Sequence, residues 1–181
     1  MVPLGTTAHQ PLEVSMLAKF SGVFLVLAVC TTGIVADDEK SETKAKKLEL
    51  SDDEQSLLDL TNAARKKENL PPLKANKVLF EVARAHSANM AKKGKMEHVL
   101  DGKNPAQRVE AAGYRLSSAG ENIATAFNWS LEMVMKNWMQ SPPHRANILQ
   151  GKYTEIGIGI VRGDNKQVYY TQVFGTPRKR R

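Results

Sequence analysis

The sequence predicts an α+β domain in which helices come first and paired strands follow. Most of the chain before residue 150 carries apolar residues at helical spacing, interrupted by proline pairs and glycines. The last part instead alternates: isoleucines at 156, 158 and 160 are separated by glycines, a turn is predicted at 163–165, and a second alternating run covers 168–174. Two such runs around a short turn are typical of a β-hairpin. We therefore expect helices packed against an antiparallel sheet.

Capping residues mark most of the predicted helix starts. Ser51, with Glu54 three residues later, forms a capping box before the first helix, which ends before Pro71. A second helix is predicted over about 76–93 and ends at Gly94. Further helices are predicted to follow three caps: Asn104, Ser130 and Ser141. The segment around Glu121 is interpreted as a loop before a helix.

The first 36 residues predict an export signal with an upstream extension. Lys19 precedes an apolar stretch over 20–29, small residues follow, and Ala36 stands before an acidic segment. This order is typical of a secretory signal peptide, and the apolar run is too short to span a membrane. Residues 37–50 carry alternating charges and are interpreted as a linker. We expect a secreted protein, extracellular or periplasmic, with no transmembrane segment in its mature form.

Cysteine content and charge narrow the function classes. Cys30, the only cysteine, lies in the predicted signal. Lipid attachment to it stays open as an alternative; without it, we expect neither disulfides nor thiolate chemistry in the exported domain. The formal net charge is +7, and four of the positive charges stand at 178–181. Because an exported protein seldom meets nucleic acid, we expect no nucleic-acid partner. The basic tail, 177–181, is interpreted as solvated or as favouring an acidic cell envelope.

The candidate site residues are two histidines and a glutamate. His98 and His144 lie beside predicted helix ends, and a helix start keeps the His144 ring neutral near neutral pH. Glu121 stands between glycine and asparagine and is interpreted as either a solvated turn residue or a functional carboxylate. His86 lies on the apolar stripe of the second helix and is interpreted as a core residue. The spacing matches no local zinc motif, so a shared site requires folding.

Seven short patterns occur in order over about 55–175: NAAR at 62–65, AxxHSxxMA at 83–91, His98, GY at 113–114, GENIA at 120–124, WMQSPPHRxNIL at 138–149 and YTQVFG at 170–175. Together they resemble the CAP superfamily (SCP domain) of cysteine-rich secretory, antigen 5 and pathogenesis-related proteins. The details resemble its bacterial branch, which usually has glycine where this chain has Pro143. The resemblance implies a three-layer α-β-α sandwich with a central antiparallel sheet and a surface cleft, predicted over 51–176.

The resemblance also implies a set of site residues. In animal and plant members the cleft holds two histidines and two glutamates and sometimes binds a divalent metal. His98 and Glu121 match that set, whereas Tyr169 and Ser141 stand where the other histidine and glutamate would be. We expect His144 to supply the second imidazole.

Three functional hypotheses stay open. The first is a cleft of His98, Glu121 and His144 that binds zinc, another divalent cation or a small ligand, with Asn122 and Arg145 as supporting groups. The second is a hydrolase in which the same three residues are catalytic, Glu121 being the base toward a peptide or ester. The third is a module that binds lipid or a cell-envelope polymer, with an apolar rim of three aromatic residues: Phe127, Trp129 and Tyr153. We expect a monomer in each case.

Overall fold

The computed structural model describes residues 47–179. Its helices are α1 (Asp52–Lys67), α2 (Lys77–Lys93), α3 (Pro105–Ala111), α4 (Leu131–Gln140) and α5 (Pro142–Ile148). Its strands are β1 (Lys74–Ala75), β2 (Leu116–Ala126), β3 (Glu155–Arg162) and β4 (Val168–Pro177). The predicted signal, most of the predicted linker and the last two residues of the basic tail lie outside the described residues. Among residues 47–179, none of the helices combines the length and hydrophobicity that crossing a membrane requires.

The helices begin where the capping residues predicted. The Ser51 hydroxyl accepts a hydrogen bond from the Glu54 amide at 3.2 Å, and the Glu54 carboxylate accepts one from the Ser51 amide at 3.0 Å. A second capping box joins Asn104 to Gln107 at the start of α3. Gly94 ends α2 in the left-handed conformation, with φ 62°, which glycine adopts at little cost. These local signals were therefore sufficient to place α1, α2 and α3.

The sheet has the strand order β1-β3-β4-β2. The predicted hairpin is confirmed as β3 and β4, and β2 pairs antiparallel with the other side of β4. Only the two-residue β1 runs parallel to its neighbour, so the expected antiparallel sheet holds for the three long strands. The loop expected around Glu121 is wrong: this residue lies inside β2, opposite Val173. Serine, alanine and glycine give β2 a weak local strand preference, and its pairing with the largely buried β4 overrides it.

The three-layer α-β-α sandwich is confirmed. Helices α2 and α3 cover one face of the sheet, and α1, α4 and α5 cover the other. Strand β3 shows how closely α2 approaches, because a Cβ atom at Gly157 or Gly159 would collide with the α2 backbone. Ile156 and Ile158 point to the opposite face, into the main hydrophobic core that includes Trp138. The glycines and isoleucines that alternate along β3 thus face different helical layers.

The position of β2 decides where a site can form. It is an edge strand of the sheet, so both helical layers can reach the same end of it. Glu121 and Ile123 face the α2 layer, whereas Asn122 faces the layer that contains α5. The Asn147 side chain of α5 donates a hydrogen bond to the Glu121 carbonyl oxygen at 3.0 Å, which covers part of this edge. Side chains from both layers therefore meet around Glu121.

Candidate functional site

The buried carboxylate of Glu121 is the centre of the candidate site. Its side chain is only 1% exposed. His98 Nδ1 lies 2.9 Å from Oε1, and Arg108 Nη2 donates a hydrogen bond to Oε2 at 2.5 Å. His86 Nε2 lies 3.7 Å from Oε1, outside hydrogen-bond distance. One carboxylate is thus surrounded by nitrogen atoms from α2, α3 and the segment between them.

Arg108 holds the segment between α2 and α3 against the sheet. Its Nη1 donates to the carbonyl oxygens of His98 and Lys103, each at 2.8 Å. Leu100, in the same segment, is buried against Met90 and Tyr169. Because one guanidinium binds both the backbone of this segment and the Glu121 carboxylate, it fixes the position of the His98 ring over Glu121.

His98 is the solvent-facing member of the cluster, with 48% of its side chain exposed. A carboxylate oxygen can only accept, so in the neutral ring the proton lies on Nδ1 and the lone pair on Nε2. Within residues 47–179, Nε2 has no hydrogen-bond partner. His98 and Glu121, both expected in the cleft, are therefore in direct contact, and this contact leaves one ring nitrogen available to a ligand.

His144 reaches the site from the other helical layer. Its carbonyl oxygen accepts a hydrogen bond from Asn122 Nδ2 at 3.0 Å. Its Nδ1 is buried, and the described residues offer that atom no partner. Burial lowers the pKa of His144, and a positive charge on His98 lowers it further when that ring is protonated. The ring is therefore a neutral imidazole near His98, but its hydrogen-bonded link to the Glu121 strand runs through its own backbone.

The two expected supporting residues differ. Asn122 is fully buried, and its side chain connects the His144 carbonyl, Gln172 and Asn147. It orients the start of α5 and does not contact the Glu121 carboxylate, which it was expected to orient. Arg145 instead forms an exposed ion pair with Glu68 at 2.8 Å, so its expected role at the site is wrong. Consecutive helix residues point about 100° apart around the axis, so Arg145 leaves the side of α5 that His144 turns toward the site.

Sequence reasoning missed two residues of the cluster, His86 and Arg108. His86 is 1% exposed, which agrees with a core residue, yet it faces the Glu121 carboxylate. Burial lowers its pKa, and the charge of Glu121 offsets this only in part. The one available signal was a titratable side chain on the apolar stripe of α2. Arg108 gave no signal, because an arginine on a short helix is ordinarily a surface residue.

Unpaired polar atoms concentrate at this cluster. Over residues 47–179, four buried side-chain nitrogens lack a hydrogen-bond partner: His86 Nδ1, His86 Nε2, Arg108 Nε and His144 Nδ1. Buried polar groups are nearly always paired in native proteins, so each exception calls for an explanation. All four atoms belong to residues around Glu121, which sets this region apart from the rest of the described domain.

Comparison with known proteins decides the family. Residues 58–174 match the model of the CAP family, described as the cysteine-rich secretory protein family. The chain belongs to the CAP family. It is 37% identical over 122 residues to YkwD of Bacillus subtilis, covering 67% of this chain and 46% of that protein. It is 35% identical over 136 residues to the membrane protein YlbC of the same organism, covering 74% of this chain and 37% of that protein. The chain thus spans less than half the length of the curated relatives it matches.

Solved structures place this CAP domain among bacterial homologues. An extracellular protein of Bacillus anthracis that contains an SCP domain is 30% identical, with a TM-score of 0.60, over 70% of this chain and 40% of that one. An outer surface protein of Borrelia burgdorferi has a TM-score of 0.67 at 22% identity, over 74% of this chain and 98% of that one. The second likeness shows the fold alone. The predicted family and fold are both confirmed.

The residues of this CAP domain do not fit the zinc site that we expected. Zinc needs several nitrogen or oxygen atoms that converge with free lone pairs. Both oxygens of Glu121 are instead engaged by His98 and Arg108, and the guanidinium charge beside the carboxylate opposes a cation. Tyr169, at the position of the missing histidine, packs in a hydrophobic cluster. In the described part of the chain, no group of three or more His, Cys, Asp or Glu side chains is arranged to hold a metal ion.

The apolar rim expected from three aromatic residues does not form as one surface. Phe127 is exposed. Tyr153 is buried and stacks on Phe174, with 5.5 Å between the ring centroids. Tyr153 therefore belongs to the core, and the expected lipid-binding rim lacks one of its three residues.

Proposed function

We propose that this CAP domain acts outside the cell as a small-ligand-binding domain in which His98 Nε2 accepts a proton or hydrogen bond from the bound molecule. The observation that carries the proposal is the pairing of a half-exposed imidazole with a buried carboxylate, at 2.9 Å. Glu121 holds the ring in one orientation and one tautomer, and Arg108 holds Glu121. Such preorganisation lowers the cost of ordering the site when a ligand binds.

Two further observations support an extracellular location and ligand binding at His98. The solved relatives include an extracellular protein that is 30% identical, which agrees with the predicted export signal. The neutral ring of His144 lies close enough to His98 for the charge of one to affect the other. A second imidazole thus lies in the same region as His98, held to strand β2 through the hydrogen bond from Asn122 to its carbonyl oxygen.

The orientation of His98 is tested by nitrogen NMR of the imidazole rings. We expect His98 to carry its proton on Nδ1 in the wild-type protein, because Glu121 accepts from that atom. Glu121→Gln retains an acceptor and should preserve this tautomer, whereas Glu121→Ala should release it to a mixture. A wild-type ring protonated on Nε2 would contradict the arrangement.

Ligand binding is tested by a fragment screen with ligand-observed NMR, comparing the wild-type protein with His98→Ala. The substitution removes a half-exposed ring, so the fold should persist and serve as its own control. We expect a set of fragments that bind the wild type and lose their signal with His98→Ala. If every fragment binds both proteins equally, His98 is not part of a ligand site.

A hydrolase is the second candidate, and the same pair of residues favours it. The catalytic base would then be His98, since both oxygens of Glu121 are already engaged and Glu121 acts as the orienting group. Hydrolysis of 4-nitrophenyl acetate measures this. We expect a rate above that of free imidazole that falls to background with His98→Ala; a wild-type rate no higher than free imidazole removes the hydrolase.

Zinc binding has a direct test in calorimetry. Because Arg108 occupies the position beside Glu121 that a cation would take, we expect no saturable heat when Zn²⁺ is added to the wild-type domain. A saturable heat that disappears with His98→Ala would restore the metal site predicted from the sequence.

A further inference from the structure

A polar pocket of about 460 Å³ lies at the turn end of the β3–β4 hairpin, on the sheet face that α1 and α4 cover. The floor of this hairpin pocket consists of four strand residues: Ile160, Arg162, Val168 and Tyr170. In the hairpin, Ile160 lies opposite Tyr170 and Arg162 opposite Val168, so the four side chains share one face. The beginnings of α1 and α4 form the walls, and no residue of the Glu121 cluster lines the pocket. The hairpin pocket is therefore separate from the candidate site.

The hydroxyl of Tyr170 is the polar group at the floor of the pocket. Tyr170 is only 2% exposed. In the part of the chain that the structure describes, its Oη forms no hydrogen bond, and it is not one of the four fully enclosed side-chain atoms that lack partners. The surface that Oη retains therefore lies at the pocket, where a ligand can reach it. Burial raises the pKa of Tyr170, so the hydroxyl keeps its proton and can both donate and accept.

Two opposite charges border the same pocket without pairing. After burial, the pKa of Tyr170 responds to the charge of Arg162, which lowers it, and to that of Asp53, which raises it, so both charges lie near the hydroxyl. Over residues 47–179 neither side chain forms an ion pair, and the Arg162 guanidinium donates only to the Lys166 carbonyl oxygen, at 3.1 Å. Glu132 adds a second carboxylate beside the positive end of the α4 dipole. The pocket thus combines free acceptors and free donors with little net charge.

An aromatic side chain supplies the apolar part of the wall. Trp129 packs against the main core and remains partly exposed where it lines the pocket. An aromatic face bordered by hydrogen-bonding groups is complementary to a pyranose ring, which has an apolar C–H face and adjacent hydroxyls that donate and accept. A hydrocarbon chain would instead leave the polar groups of the pocket without partners. The chemistry of the pocket therefore favours a sugar.

We propose that the hairpin pocket binds a neutral pyranose, either free or as one unit of a glycan. Its C–H face lies on Trp129, and adjacent hydroxyls donate to Asp53 and accept from Arg162 and Tyr170. The volume of the pocket lies in the range of small-molecule sites and is large enough for one such ring. The proposal does not depend on the function proposed for His98.

Two-dimensional NMR of the protein tests the proposal through its two tryptophan indoles. Trp138 is fully buried and donates to the Ile123 carbonyl oxygen at 3.2 Å, so its indole signal is an internal control for Trp129. The probes are the methyl glycosides of glucose, galactose, mannose and N-acetylglucosamine. Cyclohexanol, an apolar ring with one hydroxyl, and alanine, which carries both charges without hydroxyls, are the controls. We expect at least one glycoside to shift the Trp129 indole in a saturable manner in the millimolar range, with no change at Trp138.

A matched pair of substitutions in the first turn of α1 separates binding in the pocket from surface effects. Asp52 and Asp53 are both exposed, but only Asp53 lines the pocket. Both substitutions to alanine remove one negative charge from the same helix start. We expect Asp53→Ala to weaken binding of the glycoside roughly tenfold, because a hydrogen bond to a charged group is lost, and Asp52→Ala to leave it unchanged.

Tyr170→Phe tests the hydroxyl at the floor. That hydroxyl has no partner within residues 47–179, so the fold should persist, while binding should weaken roughly fivefold. Tyr169→Phe is the control, because Tyr169 packs on the opposite face of β4. Four outcomes overturn the proposal: no glycoside binds, cyclohexanol or alanine binds as tightly as the best glycoside, the two aspartate variants bind equally, or the two tyrosine variants do. None of these measurements involves His98, so they leave the function proposed for it to its own tests.

Discussion

Two glutamate–arginine pairs, each with a buried carboxylate, lie near different strands of the same sheet. Beside β3, Glu54 accepts from Arg84 Nε at 2.7 Å and from Arg84 Nη2 at 2.5 Å, and its carboxylate also caps α1 through the Ser51 amide. Beside β2, Glu121 accepts from Arg108 through one nitrogen only and shares its other oxygen with His98. The residue types are the same, and both carboxylates are almost fully buried.

The difference lies in which polar atoms remain unpaired. Burial raises the pKa of Glu54, but its hydrogen bonds with Arg84 and Ser51 outweigh that effect and lower the pKa overall. Every buried polar side-chain atom of that pair has a hydrogen-bond partner, and the pair links α1 to α2. Around Glu121, by contrast, lie the four buried nitrogens that have no hydrogen-bond partner in residues 47–179, and one of them is Arg108 Nε. Hydrogen-bond satisfaction, more than residue type, separates the structural pair from the candidate site.

The largest expected effect is the loss of stability when each carboxylate is removed. Glu121→Ala leaves Arg108, only 13% exposed, without its counter-ion and should cost about 3–5 kcal/mol of unfolding free energy. Glu54→Ala should cost about 1–2 kcal/mol, because Arg84 is 38% exposed and water can solvate it. Urea denaturation measures both. Equal losses would show that the two pairs contribute equally to the free energy of unfolding.

A smaller effect is expected from replacing each arginine by lysine. Arg108→Lys cannot keep the contacts to Glu121 and to the carbonyls of His98 and Lys103 together, and should cost about 2 kcal/mol. Arg84→Lys should cost about 1 kcal/mol or less, since its pair is partly solvated. Hydrogen exchange locates the damage: faster exchange over residues 95–103 is expected only with Arg108→Lys.

The two regions should also respond to different pH ranges. The pKa values of His86 and His144 are lowered below 6.5 by burial, so these rings contribute no penalty above about pH 6.5 and destabilise the fold as the pH falls below it. The pKa of Glu54 is lowered below 4.5, so its contribution is present above that value and is lost only at lower pH. Denaturation at a series of pH values measures both. His86→Phe should reduce the loss in the mildly acidic range, and Glu54→Gln should leave that range unchanged.

The smallest effect on stability is expected from His98→Ala. The ring is half-exposed, so the free energy of unfolding should change by about 0.5 kcal/mol or less. His98→Ala should nonetheless abolish the binding of the fragments and the hydrolysis of 4-nitrophenyl acetate. A large loss of stability would show that His98 has a structural role, as the Glu54–Arg84 pair does.

Most of the fold could be predicted because its signals are local. The capping boxes at Ser51 and Asn104 and the β3–β4 hairpin depend on residues a few positions apart. The strand character of β2 could not be read in this way, since it comes from pairing with β4, about fifty residues further along the chain. The glycine and serine of β2 look like a loop until that partner is present.

The sequence by itself predicted the family, the helix starts, the hairpin and three residues of the candidate site: His98, Glu121 and His144. Only the tertiary structure decided that Arg108 and His86 join them and that Arg145 does not. The physical reason is that hydrogen bonds between side chains distant in sequence depend on how edge strand β2 and the two helical layers come together. Whether a buried nitrogen finds a partner is a property of that assembly, and no residue type or spacing along the chain encodes it.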